Sequence, residues 1–160
     1  MAKYIIDLID QKILQHLISN ARTPFLEIAR ECGISGAAIH QRIKKLEESG
    51  VITGSRLEID PKALGNDVCV YVGIQISQSN FYEDVIKALK SVPEVVECHF
   101  ITGKYSLLIK MFCKNNEHLM ATMVNIIKEI PGISQTETFM SLEQSFERQV
   151  QVEKITKPRK

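Results

Sequence analysis

The sequence predicts an α+β protein in which a small helical domain precedes a sheet domain of the order βαββαβ. Up to about residue 50, apolar residues recur three and four positions apart, which is the spacing of amphipathic helices. From residue 68 onward, apolar residues alternate with other residues over several segments, as in strands with one buried face. Two helical patterns separate these segments, so both helices are expected on one face of an antiparallel sheet.

Two short helices open the N-terminal domain. The first is predicted from Leu8 to about Ser19. The second is predicted to start at the N-cap Thr23, whose successor Pro24 suits the first helical position, and to run to about Cys32. Neither helix could bury its apolar stripe alone, so both are expected to pack on a third.

The third predicted helix follows a turn at Gly33, begins after the N-cap Ser35 and stops at Gly50. Its buried stripe is predicted to consist of Ile39, Ile43 and Leu46. Three short helices with a tight glycine turn before the last predict a helix-turn-helix domain that binds DNA.

The side of the third helix opposite the apolar stripe carries polar and basic residues. Those predicted to approach the major groove are Ser35, Ala37, His40, Gln41, Arg42, Lys44 and Lys45. Gln41 suits a bidentate contact with adenine, and Arg42 could reach guanine or phosphate. The alternative is that the lysines of this helix, with Glu47 and Glu48, form an ordinary solvated helix face.

The chain leaves this helix in an extended pattern over residues 51–59, which predicts a wing or a departing strand. Arg56 in this segment is a candidate phosphate contact, although a lone arginine there is also typical of a solvated surface. Proline and glycine then mark a hinge. The predicted organisation is a winged helix-turn-helix domain at 1–59, a hinge at 60–66, a sheet domain at 67–150 and a basic flexible tail at 151–160.

The C-terminal domain is predicted to contain four strands and two helices. The first strand runs from Val68 to Ile76. Two further strands, Glu94 to Thr102 and Tyr105 to Cys113, are joined by a hairpin turn at Gly103-Lys104. The last strand is predicted from Ile133 to about Leu142. This order is that of a ferredoxin-like sandwich.

The face of the predicted sheet that the helices leave uncovered is also apolar. If Val68, Val70 and Val72 face the helices, the residues left for the open face are Cys69, Tyr71, Cys98 and Phe100. A single domain should not expose such a surface to water, so we expect a second copy of the chain to cover it.

Composition excludes several classes of protein. The chain has 160 residues, 44% of them hydrophobic, and a net charge of +1, so a nucleic-acid site must be a local patch. The four cysteines have no paired spacing and are expected to be reduced core thiols, with no metal or cofactor. No apolar run reaches the length of a membrane span, and the expected compartment is the cytoplasm.

Short motifs are spread over the chain from about Leu8 to Leu142. In order, they are Leu8-Ile9-Asp10, Asn20-Ala21-Arg22, Gly33-Ile34-Ser35, Arg42-Ile43-Lys44-Lys45-Leu46-Glu47, Gly50-Val51-Ile52, Asp60-Pro61, Leu64-Gly65 and Gly103-x-Tyr105. By these motifs the chain resembles the Lrp/AsnC family, the leucine-responsive and asparagine regulators of transcription. The resemblance implies a winged helix-turn-helix head and a ferredoxin-like effector domain.

The resemblance also implies partners. They are double-stranded DNA, a homodimer that often assembles to an octamer, and an amino acid or related small metabolite. A dimer with two such heads is expected to bind an imperfectly palindromic DNA site. The implied effector residues are Thr102, Gly103, Lys104, Tyr105, Thr136 and Thr138. The family turn usually reads Gly-Asp-Tyr with a further Asp or similar polar residue close by, and the matching residues here are Gly103, Lys104, Tyr105 and Ser106. Lys104 stands in place of the acid, which would suit a ligand carboxylate or another acid. Alternatively, Lys104 is a solvated turn residue.

Two other functions are compatible with the same scaffold. Relatives that decarboxylate haem precursors such as sirohaem need acid and base groups, for which His99 and Tyr105 are the suggestive candidates. The chain has no paired carboxylates, metal-ligand spacing or phosphate loop, so a non-enzyme is expected. An architectural protein that wraps DNA around an oligomer is the other alternative.

Overall fold

The computed structural model describes residues 4–152, which form two compact units. The head unit consists of the described residues up to Leu57 together with those from Phe146 onward, and the sheet unit spans Glu58–Ser145. The sequence places residues up to 150 in the sheet domain, whereas in the structure the described residues from Phe146 onward belong to the head unit. Val152 there packs against the head core. The basic residues of the predicted tail, from Lys154 onward, lie outside the described residues.

The head unit contains α1 (Leu8–Ser19), α2 (Phe25–Cys32) and α3 (Gly36–Glu48). Asp7 caps α1, and Asp10 completes a capping box by accepting the Asp7 amide. The expected cap of α2 is wrong, because the Thr23 hydroxyl donates to the carbonyl of Asn20 instead and no side chain caps this helix. The three helices otherwise lie where the apolar spacing predicts them.

The head core is built from one stripe of each helix. Its fully buried side chains are Ile13, Ile28, Ile39 and Leu46. Residues 53–60, which follow α3, have no regular secondary structure, so the extended pattern does not produce a paired strand in this segment. A short 3-10 turn at Lys62–Leu64, ended by Gly65 in the left-handed conformation, leads into the sheet.

The sheet unit has four antiparallel strands: β1 (Val68–Ile76), β2 (Val95–Phe100), β3 (Leu107–Cys113) and β4 (Ile133–Ser141). Their order across the sheet is β2-β3-β1-β4. The two central strands are therefore those that begin the two halves of the βαββαβ pattern, as in a ferredoxin-like sandwich. The predicted α+β class is confirmed.

Two helices cover one face of this sheet. A 3-10 turn, Ser79–Phe81, leads into α4 (Tyr82–Lys90), and α5 (Asn116–Thr122) continues as a π-helical turn over Met123–Ile127. Asn115 caps α5 by accepting the His118 amide. The side chains of β1 that face these helices, Val70, Val72 and Ile74, are fully buried.

The prediction that Cys98 and Phe100 lie on the open face is wrong. Between Val95 and Glu97 the register of β2 against β3 shifts, because two residues of β2 oppose one of β3. Past this bulge Cys98 lies opposite Ile109 and Phe100 opposite Leu107, and both of those partners belong to the core under the helices. The ring of Phe100 contacts Tyr82 of α4 at a centroid distance of 5.3 Å.

The connection between β2 and β3 is longer than the expected two-residue hairpin. It spans residues 101–106, with Gly103 at a φ of 117°. This longer turn folds against β1, and it brings the predicted effector motif onto the open face of the sheet.

Candidate DNA-binding helix and ligand cleft

The glycine turn and a serine cap fix the start of α3. Gly33 ends α2 with a φ of 67°, in the left-handed region that favours glycine. The Ser35 hydroxyl accepts the Ala38 amide at 3.2 Å, which confirms its predicted role as N-cap. A Cβ on Gly36 would lie 3.0 Å from a methyl carbon of Leu26, so the absence of a side chain lets the two helices approach closely.

The buried and exposed sides of α3 are those that its periodicity predicts. Ile39, Ile43 and Leu46 face the core. The predicted groove-facing residues that are exposed are Ser35, Ala37, His40, Gln41, Lys44 and Lys45. Lys44 has an ion pair with Glu48 at 3.7 Å, but both side chains are mostly exposed, so this pair holds Lys44 only weakly. His40 contacts the ring of Phe25 edge-on at 5.3 Å.

Arg42 does not share this exposed side. One of its guanidinium nitrogens donates to Asp7 and to Asp10, each at 2.7 Å. Only 27% of the Arg42 side chain is exposed, and Asp10 is 1% exposed. We therefore correct the expected base or phosphate contact of Arg42, because its guanidinium is committed to two carboxyl groups of its own domain.

Tyr4 extends this arrangement by donating its hydroxyl to Asp10 at 3.0 Å. We call Tyr4, Asp7, Asp10 and Arg42 the Arg42 network. Burial acts to raise the pKa of Asp7, but hydrogen bonds from the Asp10 amide and from Arg42 outweigh it and lower the pKa below its ordinary value. Hydrogen bonds to Asp7 and Asp10 likewise raise the pKa of Arg42. The network is thus a charged, hydrogen-bonded joint between α1 and α3.

Arg56, the remaining predicted DNA contact, is exposed in the segment without regular structure that follows α3. No helix or strand positions it, so the geometry adds nothing to its assignment.

The turn between β2 and β3 borders a cleft on the sheet unit. The amide of Ser106 donates to the Ile74 carbonyl at 2.9 Å, and the side-chain amide of Gln75 donates to the Lys104 carbonyl at 2.8 Å. These bonds tie the turn to β1. The cleft has a volume of about 330 Å³ and is lined by Gln75, Ile76, Phe100, Ile101, Gly103, Lys104, Tyr105 and Ser106.

The ring of Tyr105 lies directly on the backbone of Gly73. A Cβ at Gly73 would come within 2.6 Å of a ring carbon of Tyr105, so a side chain there would displace the ring. The ring also contacts Phe139 of β4, at a centroid distance of 6.4 Å. Glycine in the middle of a central strand is thus explained by the close approach of an aromatic ring.

Lys104 pairs with Glu137 of β4, and its ammonium also lies 4.9 Å from the centre of the Tyr105 ring. The side chains of Lys104 and Glu137 are 60% and 44% exposed. Ion pairs this open to water are weak and exchange their partners readily. Lys104 is therefore neither unpaired nor locked in place.

The structure brings together only part of the predicted effector set. Gly103, Lys104 and Tyr105 line one cleft, and Thr102 belongs to the same turn but does not line it. Thr136 and Thr138 lie opposite Ile74 and Val72, and so on the face that packs against the helices. Sequence reasoning missed Gln75 and Glu137, although the glycine within β1 was a usable signal of a close contact.

Other kinds of site find no support in the part of the chain that the structure describes. Between residues 4 and 152, His, Cys, Asp and Glu side chains form no group of three that could hold a metal ion. The expectation of four core thiols holds only for Cys113, which is buried, whereas Cys32 and Cys69 are half-buried and Cys98 is exposed. Partial or full loss of water around these thiols raises the pKa of each above its ordinary value. None of the helices within these residues has the length and apolarity needed to cross a membrane.

Profiles of known families match both units. The profile of the Lrp/AsnC ligand binding domain matches residues 69–151, and that of a winged helix-turn-helix DNA-binding domain matches residues 6–53. The chain is 37% identical over 150 residues to the regulatory protein AsnC of Escherichia coli K12, an alignment that covers 94% of this chain and 99% of that protein. The chain belongs to the Lrp/AsnC family.

Further relatives agree with this assignment. AsnC of Haemophilus influenzae is 40% identical over 145 residues, covering 91% of this chain and 97% of that protein. The structure of Escherichia coli AsnC superposes with a TM-score of 0.87, covering 93% of this chain and all of that one. A Neisseria meningitidis transcriptional regulator, solved as an L-Met complex, shares the fold at 21% identity, with a TM-score of 0.85 and coverage of 90% and 94%.

These relatives and the helix-turn-helix domain make the chain a DNA-binding transcription regulator. The enzyme alternative is thereby set aside.

Proposed function

We propose that this member of the Lrp/AsnC family recognises a specific DNA sequence through the outer side of α3. The observation that carries the proposal is that Ala37, Gln41, Lys44 and Lys45 are all exposed on one side of a helix whose other side is buried. Ala37 allows close approach to a groove, Gln41 offers a donor and an acceptor in the geometry that adenine requires, and the lysines suit phosphate.

We further propose that two chains pair through the open face of the sheet. Tyr71 and Phe139 face each other across β1 and β4 on that side, and both are exposed in the single chain. Covering them with a second copy would remove an apolar surface from water and would place two heads in one particle. The two α3 helices would then meet major grooves one turn of DNA apart, roughly 34 Å, and the site would be an imperfect palindrome. Assembly to an octamer remains part of this proposal.

The ligand proposed for the cleft beside Lys104 is an amino acid or a small organic acid. Lys104 could meet a carboxylate and Glu137 an amino group, because their mutual pair is exposed and exchangeable. The relative from Neisseria meningitidis was solved with L-Met, which supports an amino acid as the first class to test. An organic acid without an amino group would use Lys104 and leave Glu137 unpaired.

The proposed base contact is tested with Gln41→Ala. A DNA site is first selected from a random pool with the unaltered protein, and affinities for single-base variants of this site are then compared. We expect Gln41→Ala to lose about 1–3 kcal/mol of discrimination at one position of each half-site. Gln15→Ala, which removes an exposed glutamine from α1, is the matched control. Unchanged discrimination by Gln41→Ala would contradict the proposal.

The proposed ligand is tested by thermal shift with amino acids and organic acids. A compound at about 100 times its dissociation constant should add roughly 2.7 kcal/mol to the free energy of unfolding. Light scattering on the same samples reports whether the ligand changes the size of the assembly. The effector proposal fails if no compound shifts the transition.

A further inference from the structure

The Arg42 network joins the start of α1 to the middle of α3. Asp7 and Asp10, which form the capping box of α1, are the same carboxyl groups that accept hydrogen bonds from Arg42. The hydroxyl of Tyr4 donates a further hydrogen bond to Asp10. The position of Arg42 relative to α1 is thus defined by several short polar contacts.

Polar contacts of this kind add a directional constraint on the rotation of α3 about its axis. Ile13 of α1 and Ile39 and Ile43 of α3 belong to one buried cluster, but hydrophobic attraction itself has no direction. Hydrogen bonds between charged groups weaken steeply with distance and angle. Arg42 therefore adds a directional contact at the middle of α3, well beyond the Ser35 cap.

Because α3 is a rigid helix, fixing the direction of Arg42 also fixes the directions of the residues beside it. Gln41 directly precedes Arg42, and Lys45 follows it by three residues, so neither can turn about the helix axis independently of Arg42. Two carboxyl groups face the single guanidinium, so the network offers phosphate no surplus of positive charge. Its influence on DNA binding must come through geometry.

We propose that Arg42 is a positioning residue for sequence recognition, which fixes the rotation of α3 through Asp7 and Asp10 so that Gln41 and Lys45 face the groove. This inference rests on the proposed function of the outer side of α3. It assigns a role in DNA recognition to Asp7 and Asp10, two acidic residues that would by charge alone oppose DNA binding.

The test is Asp7→Asn, because electrostatics and positioning predict opposite changes in its affinity for the selected DNA site. Asparagine caps a helix as well as aspartate does, so α1 should persist. Removing an acid from the DNA-binding head should strengthen binding to any DNA if charge alone matters. Positioning predicts about tenfold weaker binding to the selected site, from partial loss of a base contact, with binding to a scrambled duplex unchanged or slightly tighter.

Two further variants make the comparison decisive. Glu47→Gln removes an exposed carboxylate from α3 itself, outside the Arg42 network, and should not weaken binding to the selected site. Arg42→Lys keeps the positive charge but not the planar guanidinium, so it should behave like Asp7→Asn. A phosphate contact by residue 42 would instead survive this change largely intact.

The positioning role is overturned if Asp7→Asn behaves like Glu47→Gln, or if it weakens binding to the selected and scrambled duplexes equally. Gln41→Ala, measured alongside, separates this failure from that of the proposed function. If Gln41→Ala relaxes the sequence preference and Asp7→Asn does not, only the positioning role is lost. If Gln41→Ala has no effect, the base-reading surface itself is wrong, and the inference falls with it.

Discussion

The head and the sheet unit each hold a cation within a family motif, and the two cations are held differently. Arg42 lies against a carboxyl group that is 1% exposed, whereas Lys104 pairs with a glutamate that is 44% exposed. The first pair costs more free energy to break, because water cannot solvate a buried carboxylate that has lost its cation. Water can replace either partner of the second pair at little cost. A cation in a motif is therefore a structural joint in one place and an exchangeable contact in the other.

The largest effect is expected for Arg42→Ala, which leaves Asp10 without its charged partner. Breaking a buried ion pair from one side costs about 3–5 kcal/mol. Because Arg42 is 27% exposed and Asp10 keeps its hydrogen bond from Tyr4, we expect the lower end of this range and unfolding of the head at lower denaturant concentration. Urea unfolding of the full chain, followed by far-ultraviolet circular dichroism, measures this change. A cost below about 1 kcal/mol would show that the joint resembles an ordinary surface ion pair.

Gly73→Ala should be the next most damaging change, and it lies in the sheet unit. The added methyl group would overlap the ring of Tyr105, and such overpacking costs typically about 1–3 kcal/mol. Gly36→Ala in the head is the matched control, since the nearest atom there is the end of a flexible leucine side chain at 3.0 Å. Equal melting temperatures for the two variants would contradict the account of the Tyr105 contact.

Acid should weaken the head through Asp7. Its pKa in the folded chain lies below the ordinary 3.8, so its stabilising contribution is fully present above that value and is lost as pH falls through the folded pKa. The urea midpoint of the head should therefore hold down to about pH 4 and fall as the pH is lowered further. Asp7→Asn should flatten this part of the profile, and an unchanged profile would exclude Asp7 as a contributor.

Lys104→Ala should change stability least. Its ion pair with Glu137 is exposed, and pairs of this kind contribute about 0.2–1 kcal/mol. The unfolding transition should therefore move little, while any ligand found by thermal shift should bind more weakly if its carboxylate uses Lys104. A loss of stability as large as that of Arg42→Ala would contradict the claim that the Lys104 ion pair is weaker than that of Arg42.

The secondary structure was predictable because it depends on local spacing. Periods of 3.6 and 2 located the helices and strands, and Gly33 and Ser35 fixed the start of α3. The β-bulge near Val95 was not predictable, since one extra residue reverses the face of Cys98 and Phe100 and no glycine or proline stands within β2 to mark it. The return of the chain to the head at Phe146 likewise has no periodic signal.

The sites were predictable only where neighbours in sequence are also neighbours in space. Gly103, Lys104 and Tyr105 form one turn, so they line one cleft together. Arg42 lies between the buried and outer sides of α3, and its partner Asp7 is 35 residues away in the chain, so the helical wheel could not show which way its guanidinium turns. Glu137 was missed for the same reason, since only strand pairing brings it to Lys104.

The most direct test of the central claim, that the outer side of α3 contacts DNA, is the salt dependence of binding to the selected site without added ligand. Lys45→Ala should reduce the slope of log affinity against log salt by about 1 for each head engaged. Lys104→Ala, which removes an exposed lysine from the sheet unit, should leave the slope unchanged. If Lys45→Ala leaves the slope unchanged, or Lys104→Ala reduces it as much, the outer side of α3 is not the DNA-binding surface.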